Sequence, residues 1–343
     1  MKTHAIIPIF IPHKGCPNDC IFCNQKKITA KTKALEKDDV VDIIERYLPT
    51  ISNRGIETLE VAFFGGSFTG IPLDQQTEYL SIAKRYKDKG LIHKIHLSTR
   101  PDYINEEILS NLKKFGVDII ELGVQSFDEK VLKLSNRGHS REIVYSSSQL
   151  IKDYGFELGL QLMIGLPGDS HEKCIESAQE AVRIGPSIAR LYPTIIIKDT
   201  TLYDMFSRGD YTPLTTEEAV KVTKDMYVIL KNAGINVIRI GLKSSDYINE
   251  KGDISGGTFH PAFRQLVEAE IAKEQMESQL QPLLNETPKK IKFLCSGNSF
   301  SNMVGNKKSN RVYFEYKYPQ IQFSFHVDPN IQDDVYVIEG SLK

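Results

Sequence analysis

Three cysteines, Cys16, Cys20 and Cys23, fall within eight residues in the run Gly15-Cys16-Pro17-Asn18-Asp19-Cys20-Ile21-Phe22-Cys23-Asn24. The spacing is Cys-x3-Cys-x2-Cys, with no fourth cysteine nearby. Three thiolates can hold three irons of a cubic 4Fe-4S cluster and leave the fourth iron open, whereas a purely electron-carrying cluster is usually closed by four cysteines. An open iron is a position where a ligand can bind and chemistry can start. The alternative is zinc with His13 as fourth ligand, a Cys3His set whose spacing here is unusual for a structural zinc site.

Alternating strand-like and helix-like segments must position that loop. A first strand over 5–12 leads into the cysteines, and further strands read at 57–64, 93–98, 117–125, 156–164 and 188–197. Helices alternate with them at 36–53, 73–89, 104–115, 139–154, 170–184 and 216–233, the first with Ile43, Ile44 and Tyr47 on one face. The segment 235–240 can add a short strand. Strand–helix units in series argue for parallel strands with outer helices. The strands are rich in Ile, Val and Leu, as expected where both faces are covered. Polar and glycine signals gather where strands end: Gly65-Gly66-Ser67, Thr99-Arg100-Pro101, Gln125-Ser126 and Gly165-Leu166-Pro167-Gly168. Active sites of α/β barrels form at those C-terminal ends. The expected fold is therefore α/β, a partial (β/α)6 TIM-like barrel with the cysteine loop at its mouth and a small C-terminal α+β module. The expected organisation is a core over 1–240, a glycine-rich segment, helix and linker over 241–288, and a basic α+β module over 289–343.

Composition excludes several classes. The chain has 343 residues, 41% hydrophobic and 25% charged, with a formal net charge of −1. That balance exerts no global pull toward nucleic acid or membrane. Five cysteines, an odd number, argue against a disulfide framework. The apolar run at residues 5–11 is too short to span a membrane and lacks a signal-peptide cleavage pattern. A cytoplasmic, reducing compartment suits an oxygen-labile cluster.

The cysteine spacing, with aromatic Phe22 before the last cysteine, resembles the radical SAM superfamily, and the resemblance extends over residues 5–240. It implies a 4Fe-4S cluster held by Cys16, Cys20 and Cys23 and S-adenosyl-L-methionine chelating the open iron. An electron then cleaves the sulfonium to a 5′-deoxyadenosyl radical that abstracts hydrogen from substrate. It also implies an electron donor of the flavodoxin or ferredoxin type. Phe22 matches the aromatic position near the adenine. Gly65, Gly66 and Ser67 match the glycine pair that lets the backbone approach the methionyl amino group. The runs Leu122-Gly123-Val124-Gln125-Ser126-Phe127, Asn136-Arg137-Gly138-His139 and Met163-Ile164-Gly165-Leu166-Pro167-Gly168 resemble oxygen-independent coproporphyrinogen oxidases. That likeness assigns Gln125 and Arg137 to the ribose hydroxyls and the methionyl carboxylate, for which an arginine fork is apt. Gln161 falls where those enzymes carry a ribose-binding Asp; the amide keeps an acceptor and loses the charge.

Thr99-Arg100-Pro101-Asp102 and Arg190-Leu191-Tyr192-Pro193-Thr194 resemble the catalytic subunit of elongator, which modifies wobble uridines in tRNA. Elongator's cysteines are more widely spaced, and its acetyltransferase domain has no counterpart in this chain. In the tail, residues 289–317 carry seven bases against one acid, a net of +6. The order strand, short helix, turn Gly305-Asn306-Lys307-Lys308, helix, strand, strand resembles a minimal KH module, whose GXXG loop clamps a nucleic-acid backbone. Lys308 stands where the second glycine would be, and the bland reading is a capping module with a solvated basic face.

Cys174 and Cys295 read as core residues, and His93, His96, His139 and His260 as non-catalytic. The expected function is a radical SAM enzyme acting on tRNA or another RNA. The alternatives are a radical SAM enzyme acting on a small or porphyrin-type molecule, and a zinc-containing RNA-binding protein. No catalytic side chain, hydrogen-abstraction site or oligomeric state is legible.

Overall fold

The computed structural model describes residues 3–11, 20–24, 35–51, 54–242, 253–286 and 288–342. The chain divides into two compact units, one of Met1–Thr215 with Met226–Phe259, the other of Thr216–Asp225 with His260–Lys343.

The first unit is the partial barrel that the sequence leads one to expect, with seven parallel strands rather than six. In chain order the elements are β1 (His4–Ile11), α1 (Lys37–Ile51), β2 (Thr58–Gly65), α2 (Leu73–Asp88), β3 (Lys94–Thr99), α3 (Glu106–Lys114), β4 (Ile119–Gln125), α4 (Glu129–Leu134), α5 (Arg141–Asp153), β5 (Glu157–Ile164), α6 (His171–Ile184), β6 (Ile188–Pro193), β7 (Ile195–Ile197), α7 (Thr201–Arg208), α8 (Thr216–Asn232), β8 (Asn236–Ile240) and β9 (Ile254–Gly257). The sheet order is β1-β2-β3-β4-β5-β6-β8, with every ladder parallel. Helices cover one face, so alternate side chains there are the core: Ile7 and Ile9 of β1, Val61 and Phe63 of β2, Ile95 and Leu97 of β3, and Leu160 and Leu162 of β5 are all fully buried.

The other, concave face does not match the expectation of strands covered on both sides. Ile6, Pro8, Phe10, Phe64, Gln161, Met163, Arg190 and Tyr192 are only partly buried there. A sheet curled into a half-barrel leaves its inner face as a lumen, and that face is free to be polar.

The apolar run at 188–197, read from sequence as one strand, is two. Pro193 lacks an N–H, and the N–H and Oγ1 of Thr194 both donate to Ile164 O, at 2.9 and 2.8 Å. These two residues end the ladder. β7 then leaves the sheet and pairs antiparallel with β9. Two helices absent from the sequence reading are α4 and α7. Asp128 caps α4 by accepting from Val131 N at 2.8 Å. Thr200 caps α7 by accepting from Tyr203 N at 3.1 Å, and Gly209 closes it at φ 80°.

Besides Thr216–Asp225 of α8, the second unit contains α9 (Phe263–Leu280), β10 (Lys290–Cys295), α10 (Phe300–Val304), α11 (Ser309–Lys317), β11 (Gln322–Val327) and β12 (Val337–Leu342). β10 is central, parallel to β11 and antiparallel to β12. Its core joins Met276, Phe293, Phe314 and Phe323, with the rings of Phe293 and Phe323 stacked at 5.8 Å. Asn310, buried, donates its side-chain amide to Ala269 O at 2.8 Å and Asn302 O at 3.1 Å, tying α11 to α9 and α10.

Candidate active site

Cys16 and His13 lie outside the described residues. Cys20 is buried and Cys23 partly so, and a tight turn joins them, Cys23 N donating to Cys20 O at 2.9 Å. The loop is held from behind by two elements. Ile21 N donates to Ser135 O at the end of α4, and Leu202 N at the start of α7 donates to Ile21 O at 2.8 Å. Ile21 belongs to an apolar cluster with Ile196, Leu202 and Tyr211, and Phe22 packs on that cluster. Among the described residues, no three His, Cys, Asp or Glu side chains converge as metal ligands.

The remaining site residues gather at the C-terminal ends of β2 to β5. β4 ends on a bulge between Gly123 and Gln125. Gln125 takes a left-handed φ of 72°, an uncommon and costly conformation for a residue with a side chain. It is buried, and its Oε1 accepts from Gln161 Nε2 at 3.2 Å. Gln161 is the register partner of Gly123. Two residues past α4, Asn136 adopts φ 51° and turns the chain so that Arg137 points inward. Arg137 Nη2 donates to Gly123 O, and Nη1 lies 3.2 Å from Cys20 Sγ. The structure thus brings two hydrogen-bonded sets, Cys20–Arg137–Gly123 and Gln125–Gln161, to neighbouring strand ends. A Cβ on Gly123 would sit 3.1 Å from Gln125 Nε2 and 3.4 Å from Arg137 Nη2, so glycine is what lets the two polar groups close over the strand.

At the end of β2 the left-handed residue is Gly65, φ 103°, while Gly66 N donates to Ile11 O at 2.9 Å. Ser67 is buried and committed to neighbours: its Oγ is 2.8 Å from Thr99 Oγ1 and accepts from Arg100 N at 3.0 Å. Arg100 was missing from the sequence-derived site set. Its fork binds both oxygens of Asp102, at 2.9 and 2.8 Å, and Nη2 also donates to Arg137 O at 2.5 Å. The signal was the Arg-x-Asp spacing in Thr99-Arg100-Pro101-Asp102. Beside Arg137, His139 is buried and its pKa is pushed down to about 4, by burial first and by the Arg137 cation second.

Sequence reasoning also missed a row of charges across the lumen. Glu60 accepts His4 Nε2 at 2.9 Å and lies 3.3 Å from His96 Nδ1. His96 Nε2 is 3.8 Å from Glu121, which is 2.7 Å from Arg190 Nε. Burial alone would raise the Glu60 pKa, but the two histidines outweigh it and hold the carboxyl below its ordinary value. The available signal was one charged or titratable residue, Glu60, His96, Glu121 or Arg190, set among apolar residues in each of four strands.

A cavity of about 380 Å³ opens beside the Gly165–Asp169 turn, bordered by Leu134, Met205, Tyr211 and Leu214. Tyr211 donates to Gly165 O at 2.5 Å. Cys174 donates to Asp169 at 3.1 Å, and burial pushes both its thiol and the Asp169 carboxyl upward.

Residues 10–181 match the model of the radical SAM superfamily, half of the chain. The chain belongs to the radical SAM superfamily. Residues 186–273 match the Radical_SAM C-terminal domain. A tRNA uridine(34) acetyltransferase of Methanocaldococcus infernus is 39% identical over 129 residues, 37% of this chain and 24% of that protein. Elongator complex protein 3 of Homo sapiens is 27% identical over 261 residues, 64% of this chain and 48% of that protein. This radical SAM chain therefore spans about a quarter to about half of the length of these relatives. A solved structure of Methanocaldococcus infernus Elp3 with an N-terminal deletion superposes with a TM-score of 0.62 at 23% identity, covering 80% of this chain and 64% of that one. The shared fold is a radical SAM half-barrel.

The residues present fit the cofactors that this superfamily implies. Two thiols one turn apart, with the Arg137 guanidinium against one of them, form a soft donor set beside a cation, which suits an anionic iron–sulfur cluster. Gln125 Nε2 and Arg137 Nη2 both lie over Gly123, and Gln161 bonds Gln125.

In the second unit the basic tail is partly neutralised. Lys292 pairs with Glu339, Arg311 with Glu315 and Lys317 with Glu277, at 2.5, 2.8 and 2.5 Å. Among the described residues, Lys289, Lys290, Lys307 and Lys308 are exposed and form no ion pair. Lys307 and Lys308 follow Gly305 with φ of 50° and 66°, two successive left-handed residues at the turn into α11.

No helix of the described residues is long and apolar enough to cross a membrane.

Proposed function

We propose that the chain is a radical SAM enzyme that binds a 4Fe-4S cluster through Cys16, Cys20 and Cys23 and acts on RNA, most directly tRNA. The observation that carries the reading is the pairing of Arg137 with Cys20 and Gly123, beside the Gln125–Gln161 pair, at the mouth of the half-barrel. The chemistry the two cofactors supply when bound is one-electron cleavage of the sulfonium and hydrogen abstraction from a substrate carbon. The chain's own residues bind and orient. Arg137 holds the methionyl carboxylate, Gln125 and Gln161 the ribose hydroxyls, Gly65, Gly66 and Ser67 line the amino-group side, and Phe22 backs the adenine. Arg100, locked on Asp102, fixes the Arg137 backbone and so aims its guanidinium. The RNA substrate is supported by the tRNA-uridine enzymes among the relatives and by the four exposed lysines of the second unit. A flavodoxin- or ferredoxin-type protein serves as electron donor.

The test has three parts. Anaerobically reconstituted protein should hold about four irons, and alanine at Cys16, Cys20 or Cys23 should abolish both iron retention and S-adenosylmethionine cleavage. The purified protein should bind tRNA with strong salt dependence. Deleting the gene should remove one modified nucleoside from the tRNA profile, and an unchanged profile would overturn the RNA assignment. One zinc with no colour would instead support a zinc-containing RNA-binding protein.

The second reading is a small or porphyrin-type substrate. Three of the seven tail bases being paired with acids favours it, because pairing weakens the basic face. A metabolite that accumulates in the deletion strain, with tRNA unchanged, would select it.

A further inference from the structure

Arg190 reaches across the lumen from β6 to β2. Its guanidinium carbon lies 4.5 Å from the centroid of the Phe64 ring, so the cation lies over an aromatic face. Two other contacts fix Arg190 there, and a third fixes the ring. Nε is 2.7 Å from Glu121, Nη1 donates to Tyr192 Oη at 3.3 Å, and the rings of Phe64 and His96 meet in a T-shaped contact at 5.1 Å. Behind these, Glu60 holds His96. The buried row of charges therefore backs one partly buried surface of the lumen, the Arg190 guanidinium over the Phe64 ring.

That surface adjoins the cofactor-binding group. Arg190 is the register partner of Gln161, and paired residues of neighbouring strands share a face. Gln161 in turn bonds Gln125. Tyr192 is the register partner of Met163 on the same face.

The charge balance decides what the surface can take. Glu121 already compensates Arg190, and a second carboxylate, Glu60, lies in the same row. An arriving phosphate or carboxylate would meet a compensated cation with two acids behind it. A neutral, planar group gains instead, because it stacks on a guanidinium plane and meets the Tyr192 hydroxyl and the Gln161 amide at its rim.

We infer that the Phe64–Arg190 stack, with Tyr192 at its edge, is the seat of an unstacked, neutral nucleobase of the substrate RNA. This rests on the RNA reading above and names the part of the RNA that enters the lumen. Arg190 and Phe64 are positioning residues for the base, and Glu60, His96 and Glu121 hold Arg190 in plane.

The experiment measures anaerobic binding of an anticodon stem-loop to the full reconstituted chain by fluorescence anisotropy, with a single abasic site moved through the loop. In the wild type, one position should lose roughly tenfold in affinity when its base is removed, the size expected of one base stack. Arg190→Lys, which keeps the charge without the plane, and Phe64→Leu should each lose a similar factor with intact RNA and nothing more with the abasic RNA. Wild-type iron content and circular dichroism in Arg190→Lys and Phe64→Leu control for folding. Wild-type affinity in Arg190→Lys and Phe64→Leu, or an undiminished abasic penalty in either, overturns the stacking seat while leaving RNA as the substrate. Absence of any RNA binding by the wild type overturns the substrate reading and the seat together.

Discussion

Nη1 of Arg137 lies 3.2 Å from Sγ of Cys20, although 117 positions separate them in sequence. The same guanidinium donates to Gly123 O at the β4 bulge, and the Arg137 carbonyl is held by Arg100. One side chain thus joins the cysteine loop to the polar ends of the strands. Replacing it by leucine removes charge-assisted hydrogen bonds, each worth about 1.5–3 kcal/mol. Arg137→Leu should weaken S-adenosylmethionine binding at least tenfold by anaerobic equilibrium dialysis, and Arg137→Lys should recover only part of it. Unchanged binding in the leucine variant would reduce Arg137 to a strut for the loop.

Gln125 holds a left-handed backbone in a buried position, a conformation that costs a residue with a Cβ about 1–2 kcal/mol. In an ordinary strand glycine is less stable than alanine by roughly 0.5–1 kcal/mol. At this position the order should reverse. Gln125→Gly should melt at or above Gln125→Ala, and both should bind S-adenosylmethionine less tightly for want of the amide. Thermal melts of the two variants decide it, and the ordinary order would mean that the bulge relaxes on substitution.

Much of the frame was readable because hydrophobic periodicity reports burial directly. Ile7, Ile9, Val61 and Phe63 alternate in sequence and are buried on the helix-covered face. The helix over Lys37–Ile51 was legible, but its face was not. Val40, Ile44 and Ile51 are buried, and Tyr47, expected inside, is 39% exposed. The split of 188–197 could not be read from apolar content, since Ile195–Ile197 are as apolar as a core strand. What divides them is a missing proline N–H and a threonine that bonds back to Ile164. Within the site, Gln125, Arg137 and Gln161 were legible through motif spacing. Arg100, Glu60, His96 and Glu121 were not, because their main partners, Arg137, His4, His96 and Arg190, are distant in sequence and meet them only in the folded sheet.

The β7–β9 pair depends on one glycine. Gly257 has φ 80°, and a Cβ there would lie 2.6 Å from Thr194 O and 3.0 Å from Ile195 Cα, both backbone atoms that cannot swing aside. Gly209 has the same φ with nothing within 4 Å. Gly209→Ala should therefore cost only the dihedral strain, about 1 kcal/mol, and Gly257→Ala should cost more, about 2–3 kcal/mol. Urea unfolding compares them. Equal losses would show that the β7–β9 pair gives way without resistance.

His139 ties stability to pH in a window set by its own two protonation equilibria. In the folded chain its pKa is pushed down to about 4, chiefly by burial, then by the Arg137 cation, with Ser140 O and Asp102 opposing and Arg100 adding to the depression. Unfolded, it titrates near its ordinary 6.5. Between those values the unfolded chain binds the extra proton, so stability rises with pH across the window and falls as the pH drops from 6.5 toward 4. The full contribution is about 3 kcal/mol. His139→Gln keeps a polar side chain and cannot titrate, so its stability difference between pH 7.5 and pH 5 should be smaller than that of the wild type. Urea midpoints followed by circular dichroism at the two pH values measure that difference. Equal pH dependence in the two proteins would assign the effect to other groups, because removing the only titration altered between them would then have changed nothing.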